Sequence, residues 1–196
     1  MLNSDKIDLN KIDVLILDDN PHALQLLCQV VSGFGCRNIS LCETVDEAKE
    51  LLKRKRIDLI LSDGEMPGQN GYDFLQWLRR EASEPNRFAP AILVTGHTRV
   101  SNVHRARDCG AHFVVSKPIQ ADTLLQRIFW VAKDERMFID CPTYAGPDRR
   151  FKFDGLPAGE EGRRSTDLKS DIGDAMDPNL SQDELDGMLK VRKVAI

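Results

Sequence analysis

The sequence predicts an α/β fold: a five-stranded, doubly wound parallel sheet, followed by a largely irregular C-terminal tail and a short terminal helix. Three observations predict it. Short apolar runs alternate five times with stretches of helical periodicity, the connections are short, and the apolar runs close on acidic, hydroxyl or basic residues. Parallel strands buried on both faces read as continuous apolar runs. Right-handed βα crossovers then cover the sheet with helices on both sides.

Residues 12–17 (IDVLIL) form the first run and end on Asp18, Asp19 and Asn20. Pro21 suits the first turn of a helix, where its missing N–H is no loss, and Ala23, Leu24, Leu27, Val30 and Val31 recur at helical spacing. Residues 38–42 make a short second strand. Thr44 is an N-cap for a helix reaching about Lys55, with Glu47 completing a capping box. Residues 57–61 are the third run, ending on Ser62 and Asp63. Residues 72–80 read as a helix, 91–95 as a strand, 100–109 as a weakly amphipathic helix, 112–115 as the fifth strand and 123–133 as a final helix.

After about Cys141 the character changes. Pro142, Gly146, Pro147, Gly155, Pro157, Gly159 and Gly162 break any long helix, and apolar residues become too sparse for a separate core. One periodic stretch, residues 180–191, follows. The expected division is an extension over residues 1–10, the α/β domain over 11–135, an arginine-rich flexible tail over 141–169 and an amphipathic helix over 178–193.

Composition narrows the classes of function. The net charge is -4, which gives no bulk electrostatic attraction to nucleic acid, and DNA is not expected as a partner. No apolar run has the length of a membrane span, and residues 1–10 are too polar for a signal peptide. The five cysteines form no Cys-x-x-Cys pair and are odd in number, so a reduced cytoplasm is the expected compartment.

Sheets of this kind carry their sites at the carboxyl ends of the strands. There the sequence places Asp18 and Asp19 after the first strand, Asp63 after the third, Thr95 after the fourth and Lys117 after the fifth. Three converging carboxylates repel one another unless a hard cation sits among them, and an oxygen-rich site suits Mg²⁺. Lys117 adds a fixed positive charge and Thr95 a hydroxyl. These are the parts that phosphoryl transfer to a carboxylate requires. Pro118 shapes a turn after Lys117 that a cis bond would suit.

The motifs LILDDN, LSDGEMPGQNGYDFL, LVTGHT and GAHFVVSKP are similar to those of the receiver (chemotaxis-regulator-like) family of two-component response regulators, over about residues 11–133. The resemblance implies a flavodoxin-like fold with Asp63 as phosphoacceptor. It also implies that Asp19 binds Mg²⁺ directly, Asp18 through water and Glu65 by its backbone carbonyl. Thr95 and Lys117 become the switch hydroxyl and the phosphate-binding lysine. One position departs from the pattern. Where the family often carries Tyr or Phe, three residues before the lysine, this chain has Val114, and Phe113 falls on the neighbouring, opposite-facing position. His97, two residues after Thr95, either affects attack by water on the phosphoryl group or is an exposed loop histidine.

The tail holds an approximate duplication. Gly146-Pro147-Asp148-Arg149-Arg150 is echoed by Gly159-Glu160-Glu161-Gly162-Arg163-Arg164. Paired arginines on a glycine-rich segment can bind phosphate bidentately and stack on a purine, and Asp167 at Arg-x-x-Asp spacing could accept from a guanine edge. The segment resembles the arginine-rich tails of receiver proteins that bind cyclic di-GMP. The alternative is a solvated linker whose arginines are balanced by nearby acids. In the last stretch Ser181-x-x-Glu184 is a capping box, followed by Leu185, Met188 and Leu189 on one stripe. It resembles the short peptide by which the flagellar switch protein docks on chemotaxis receivers. It could dock in cis or on a second copy, which leaves a dimer open.

The leading expectation is a stand-alone regulator with no enzymatic activity of its own. A histidine kinase or phosphotransfer protein would phosphorylate Asp63, and output would pass to a downstream protein target in a setting such as chemotaxis or motility. The alternative is a cyclic di-GMP effector, in which Arg149, Arg150, Arg163, Arg164 and Asp167 hold the dinucleotide.

Overall fold

The structure is a computed structural model that describes residues 9–149, 181–182 and 184–185. The elements follow the chain in alternation: β1 (Asp13–Leu17), α1 (Pro21–Gly33), β2 (Asn38–Cys42), α2 (Val45–Arg54), β3 (Leu59–Asp63), α3 (Gly71–Glu81), β4 (Ala91–Thr95), α4 (Val100–Asp108), β5 (Phe113–Ser116) and α5 (Ala121–Ala132). The strands form one parallel sheet in the order β2-β1-β3-β4-β5. This is the doubly wound architecture the sequence predicts. The chain order reverses between β1 and β3, which creates the crevice at their carboxyl ends.

Strand alternation sends side chains to two cores. Leu15, Leu17, Ile60, Leu93 and Val114 join Ala48, Leu52, Phe74, Leu75, Leu78, Val103 and Ala106 from α2, α3 and α4. Val14, Ile16, Leu61, Ile92, Phe113 and Val115 join Leu24, Leu27, Val31, Leu124, Ile128 and Val131 from α1 and α5. Phe113 and Val114 thus lie on opposite faces, as their spacing predicts. Phe74, Leu75 and Leu78 are fully buried, and each contributes about 1.5–3 kcal/mol by leaving water.

The helices start where side chains can satisfy free amides. Asn20 Oδ1 accepts from the backbone N–H of His22 (2.9 Å) and Ala23 (3.4 Å), with Pro21 at the first position of α1. Thr44 Oγ1 accepts from the Glu47 N–H at 3.3 Å, and Glu47 returns a bond to the Glu43 N–H at 3.0 Å. The reciprocal bond therefore falls one residue before the cap. Two strands are displaced from the expected bounds. β3 begins at Leu59, because the Ile57 N–H donates to Asn86 Oδ1 and the Asp58 N–H to the Asp13 carbonyl before the ladder starts. It continues through Asp63, which pairs with Val94. β5 is moved one residue later, so that Ser116 pairs with Thr95.

The region after the sheet departs further from expectation. Residues 141–169 were expected to be irregular from their first residue. Instead β6 (Phe138–Cys141) and β7 (Tyr144–Pro147) form an antiparallel hairpin. The hairpin needs no core of its own, because it buries Tyr144 and Ala145 against the domain. Phe138 meets Phe88 edge-on at 4.8 Å, and Asp140 accepts from Arg87 at 2.5 Å. Gly110 and Gly146, at φ +86° and +155°, let the loop before β5 and the hairpin touch. A Cβ on Gly146 would lie 2.7 Å from Gly110 Cα, and one on Gly110 would lie 2.7 Å from the Ala145 carbonyl oxygen.

The described part of the last predicted helix lies against the edge strand β5. The capping box is formed: the Ser181 N–H donates to Glu184 Oε2 at 2.8 Å, and the Glu184 N–H to Ser181 Oγ at 3.4 Å. Gln182 Oε1 accepts from the Ser116 backbone N–H at 2.8 Å, and Gln182 Nε2 donates to the Val114 carbonyl at 3.3 Å. One side-chain amide thus stands in for a neighbouring strand's peptide group. Leu185 is fully buried in the cluster that contains Val103, Ala106 and Val114.

Candidate functional site

The polar residues that close the strands converge at the carboxyl edge of the sheet. One carboxylate oxygen from each of Asp18, Asp19 and Asp63 lies within 4.8 Å of the others; Asp18 and Asp63 are buried and Asp19 is exposed. Asp18 is held by the Asn20 N–H, which donates to its Oδ1 at 3.0 Å. Asp63 Oδ1 accepts from the Glu65 N–H at 3.3 Å. Lys117 Nζ donates to Asp18 Oδ2 at 2.9 Å and to Asp63 Oδ2 at 3.0 Å. The Lys117–Pro118 peptide is cis.

The electrostatics follow from partial burial. Burial raises the Asp63 carboxyl above the ordinary aspartate range, and the Lys117 ammonium offsets part of that rise. For Lys117 burial acts against the charge, but its bonds to Asp18 and Asp63 outweigh it and hold the ammonium above the ordinary lysine value. Three acids around one lysine leave an excess of negative charge that a divalent cation would balance. All-oxygen donors with one open, solvent-facing carboxylate fit Mg²⁺.

Thr95 ends β4 beside Asp63, and its Oγ1 accepts from the His97 N–H at 3.1 Å. His97 is an exposed loop residue, as one of its two readings expects, but it has a partner. Its Nδ1 lies 2.7 Å from Glu65 Oε2, so the two side chains together rim the approach to Asp63. A cleft of about 500 Å³ opens on the other side, bordered by Asp19, Thr44, Met66 and Gln69. An exposed carboxylate, a polar rim and a lysine fixed between two buried acids place the Asp63 carboxylate in a charged crevice at the carboxyl edge of the sheet.

The predicted dinucleotide residues are distributed differently. Arg150, Arg163, Arg164 and Asp167 lie outside the described residues. Arg149 pairs with Asp108, and its guanidinium stacks 3.9 Å from the Tyr144 ring centroid. Sequence reasoning passed over two residues that the structure makes prominent. Arg79 is fully buried, and Tyr72 is buried beside Thr95. Nothing in helical periodicity distinguishes a buried arginine from an exposed one.

Comparison with known proteins agrees with this geometry. The family model described as the response regulator receiver domain matches residues 14–129. The C4-dicarboxylate transport transcriptional regulatory protein DctD of Pseudomonas aeruginosa is 30% identical over 130 residues, which are 65% of this chain and 26% of that protein. Chemotaxis protein CheY-3 of Vibrio cholerae is 26% identical over 121 residues, covering 61% of this chain and 92% of that one. Among solved structures, the chemotaxis protein CheY4 of Vibrio cholerae superposes with a TM-score of 0.57 at 25% identity, over 61% of this chain and 98% of its own. The receiver domain of a signal transduction histidine kinase from Syntrophus aciditrophicus gives 0.56 at 26% identity, over 67% and 98%.

Proposed function

This chain belongs to the response regulator receiver family, and on that premise we propose that Asp63 accepts a phosphoryl group from a phosphohistidine on a kinase or phosphotransfer protein. The observation that carries the proposal is Lys117, whose ammonium bridges Asp18 and Asp63 at 2.9 and 3.0 Å. In the transfer an Asp63 carboxylate oxygen forms the new bond to phosphorus as the phosphorus–nitrogen bond breaks, and the departing imidazole keeps the electron pair. Lys117 stays beside the reacting oxygen and meets the charge that develops on the phosphoryl group. Thr95 offers its hydroxyl to a second phosphoryl oxygen. Asp18, Asp19 and Asp63, with the Glu65 carbonyl, would hold Mg²⁺, which when bound neutralises the equatorial oxygens.

Output passes by protein contact at the β5 edge, and the chain has no catalytic substrate beyond its own phosphorylation. The contacts of Gln182 and Leu185 support this reading, since they show what that edge accepts: a capped helical turn with one amide and one apolar side chain. A reducing, cytoplasmic setting suits the five unpaired cysteines. Acetyl phosphate with Mg²⁺ should label the wild type and leave Asp63→Asn unlabelled; an unlabelled wild type would end the proposal.

A second reading, capture of cyclic di-GMP by Arg149, Arg150, Arg163, Arg164 and Asp167, draws on the stacked Arg149. It borders a cavity of about 230 Å³ together with Ile139, Thr143, Tyr144 and Asp148. Titration calorimetry should show heat in the wild type that is lost in Arg149→Ala/Arg163→Ala. Absence of heat in the wild type removes this reading.

A further inference from the structure

Tyr72 stands in the first turn of α3, is 2% exposed, and makes no hydrogen bond of ordinary geometry through its hydroxyl. Buried polar groups nearly always find partners, so an orphaned phenol at a functional edge calls for a reason. What it faces is Thr95. A Cβ added at Gly64 would lie 3.1 Å from Tyr72 Oη, 3.1 Å from Thr95 Cβ and 3.3 Å from Thr95 Oγ1. Both hydroxyls therefore border one small gap that the glycine keeps open. Burial pushes the phenol up to about 12, the Thr95 hydroxyl countering part of the rise, so Tyr72 remains a protonated donor.

The other side of the ring is also engaged. The Arg105 guanidinium, on α4, sits 4.5 Å from the Tyr72 ring centroid. Arg105 further donates to Asp73 at 3.0 Å and Asn70 at 3.3 Å, both at the start of α3. Val114, on the same face of the sheet, offers no polar atom to Thr95. Tyr72 is thus a polar aromatic group lying between Thr95 and α4.

We propose that Tyr72 relays the state of Thr95 to α4, doing from a helix what Val114 cannot do from the strand. The inference rests on the phosphoacceptor reading of Asp63. When the Thr95 hydroxyl donates to a phosphoryl oxygen, its hydrogen turns toward the phosphoryl group and its polarised oxygen becomes a better acceptor for the Tyr72 O–H. The chain of donors then runs from Tyr72 to Thr95 to the phosphoryl group, and each bond strengthens the next. The phenol, which at rest stands close to Thr95 without a bond of ordinary geometry, gains a well-formed one in the phosphorylated state. A small shift of the ring toward Thr95 moves the surface on which Arg105 rests. α4 is also the helix whose Val103 and Ala106 share an apolar cluster with Leu185.

The test uses the full chain with Mg²⁺ and beryllofluoride as the phosphoryl probe, comparing wild type with Tyr72→Phe, which keeps the ring and loses only the hydroxyl. Two quantities are read: beryllofluoride affinity, and the NMR signal of the Arg105 Nε–H. In the wild type the Arg105 signal should move on saturation. In Tyr72→Phe affinity should fall about fivefold, the effect of one lost hydrogen bond, and the Arg105 signal should stay near its free position. Unchanged affinity with a wild-type Arg105 shift would overturn the relay alone. A wild type that binds no beryllofluoride would overturn the phosphoacceptor reading and this inference with it.

Discussion

Lys117 and Arg79 are buried or half-buried cations placed just beyond opposite ends of the sheet, and their surroundings are built on different principles. Lys117, after the carboxyl end of β5, donates to two carboxylates that can lose or gain charge. Arg79 lies by the amino ends of β4 and β5 and donates to three carbonyl oxygens: Gly110 at 3.1 Å, Arg87 at 2.6 Å and Ala89 at 2.8 Å. The nearby ring of His112, which accepts from the Ala91 N–H at 3.2 Å, is neutral, because burial and then Arg79 hold its pKa well below the ordinary range. Carbonyl dipoles cannot titrate, and these three are already taken by the guanidinium. Arg79 is therefore a fixed clamp joining α3, the loop before β4 and the loop before β5. Lys117 sits among carboxylates, whose charge a proton or a metal ion can change. Burial alone does not mark a functional ion; the kind of acceptor does.

The comparison breaks first at Arg79. Arg79→Met leaves three carbonyls without their donor, and should lower stability by about 3 kcal/mol in urea unfolding, while acetyl phosphate labelling of the folded protein keeps its wild-type rate. A loss of labelling with intact stability would reverse the two roles. At the other end, Lys117→Ala removes a positive charge next to the carboxylates, so Mg²⁺ affinity should rise at least about threefold by calorimetry even as phosphoryl transfer slows. Weaker Mg²⁺ binding would mean that Lys117 organises the acids rather than competing for them.

The pH dependence sharpens the same contrast. The folded-state pKa of His112 is depressed, so below about pH 6.5 the unfolded chain binds the extra proton. Its contribution is full above that pH and is lost as pH falls, by up to about 1.4 kcal/mol per unit. His112→Gln should flatten that slope between about pH 6.5 and 5, and an unaltered slope would place the proton uptake elsewhere. The smallest expected effect lies on β5 between the two regions. Gln182→Ala removes the amide from the strand edge, and hydrogen exchange at the Ser116 N–H should quicken about fivefold. Unchanged exchange there would show that the segment at 181–185 contributes little to closing the edge.

How much of this was legible beforehand varies with the range of the interaction. The fourth strand, the Thr44 cap and the Ser181 capping box depend on neighbours within a few residues, and they form where the sequence puts them. The pocket was legible because βα alternation sends every strand end to one edge, so a residue's position after its strand is also its position in space. Strand bounds near Asp63 and Ser116 moved because pairing partners, not local composition, end a strand. The hairpin from Phe138 to Pro147 was missed because its core is borrowed: Tyr144 and Ala145 are buried against a surface more than thirty positions away in the chain. Val114 showed that the strand could not supply an aromatic partner to Thr95. That α3 brings Tyr72 to the same gap could not be read from periodicity.

The sequence by itself determined the sheet, its winding and the convergence of Asp18, Asp19, Asp63, Thr95 and Lys117, because apolar periodicity and right-handed crossovers leave little freedom in where strand ends go. Tertiary structure decided which acceptors surround Arg79, where the hairpin packs, what Gln182 bridges and which aromatic ring faces Thr95. Those outcomes depend on side chains distant in sequence meeting in a dense interior, where a separation of an ångström decides whether a polar group is bonded or alone.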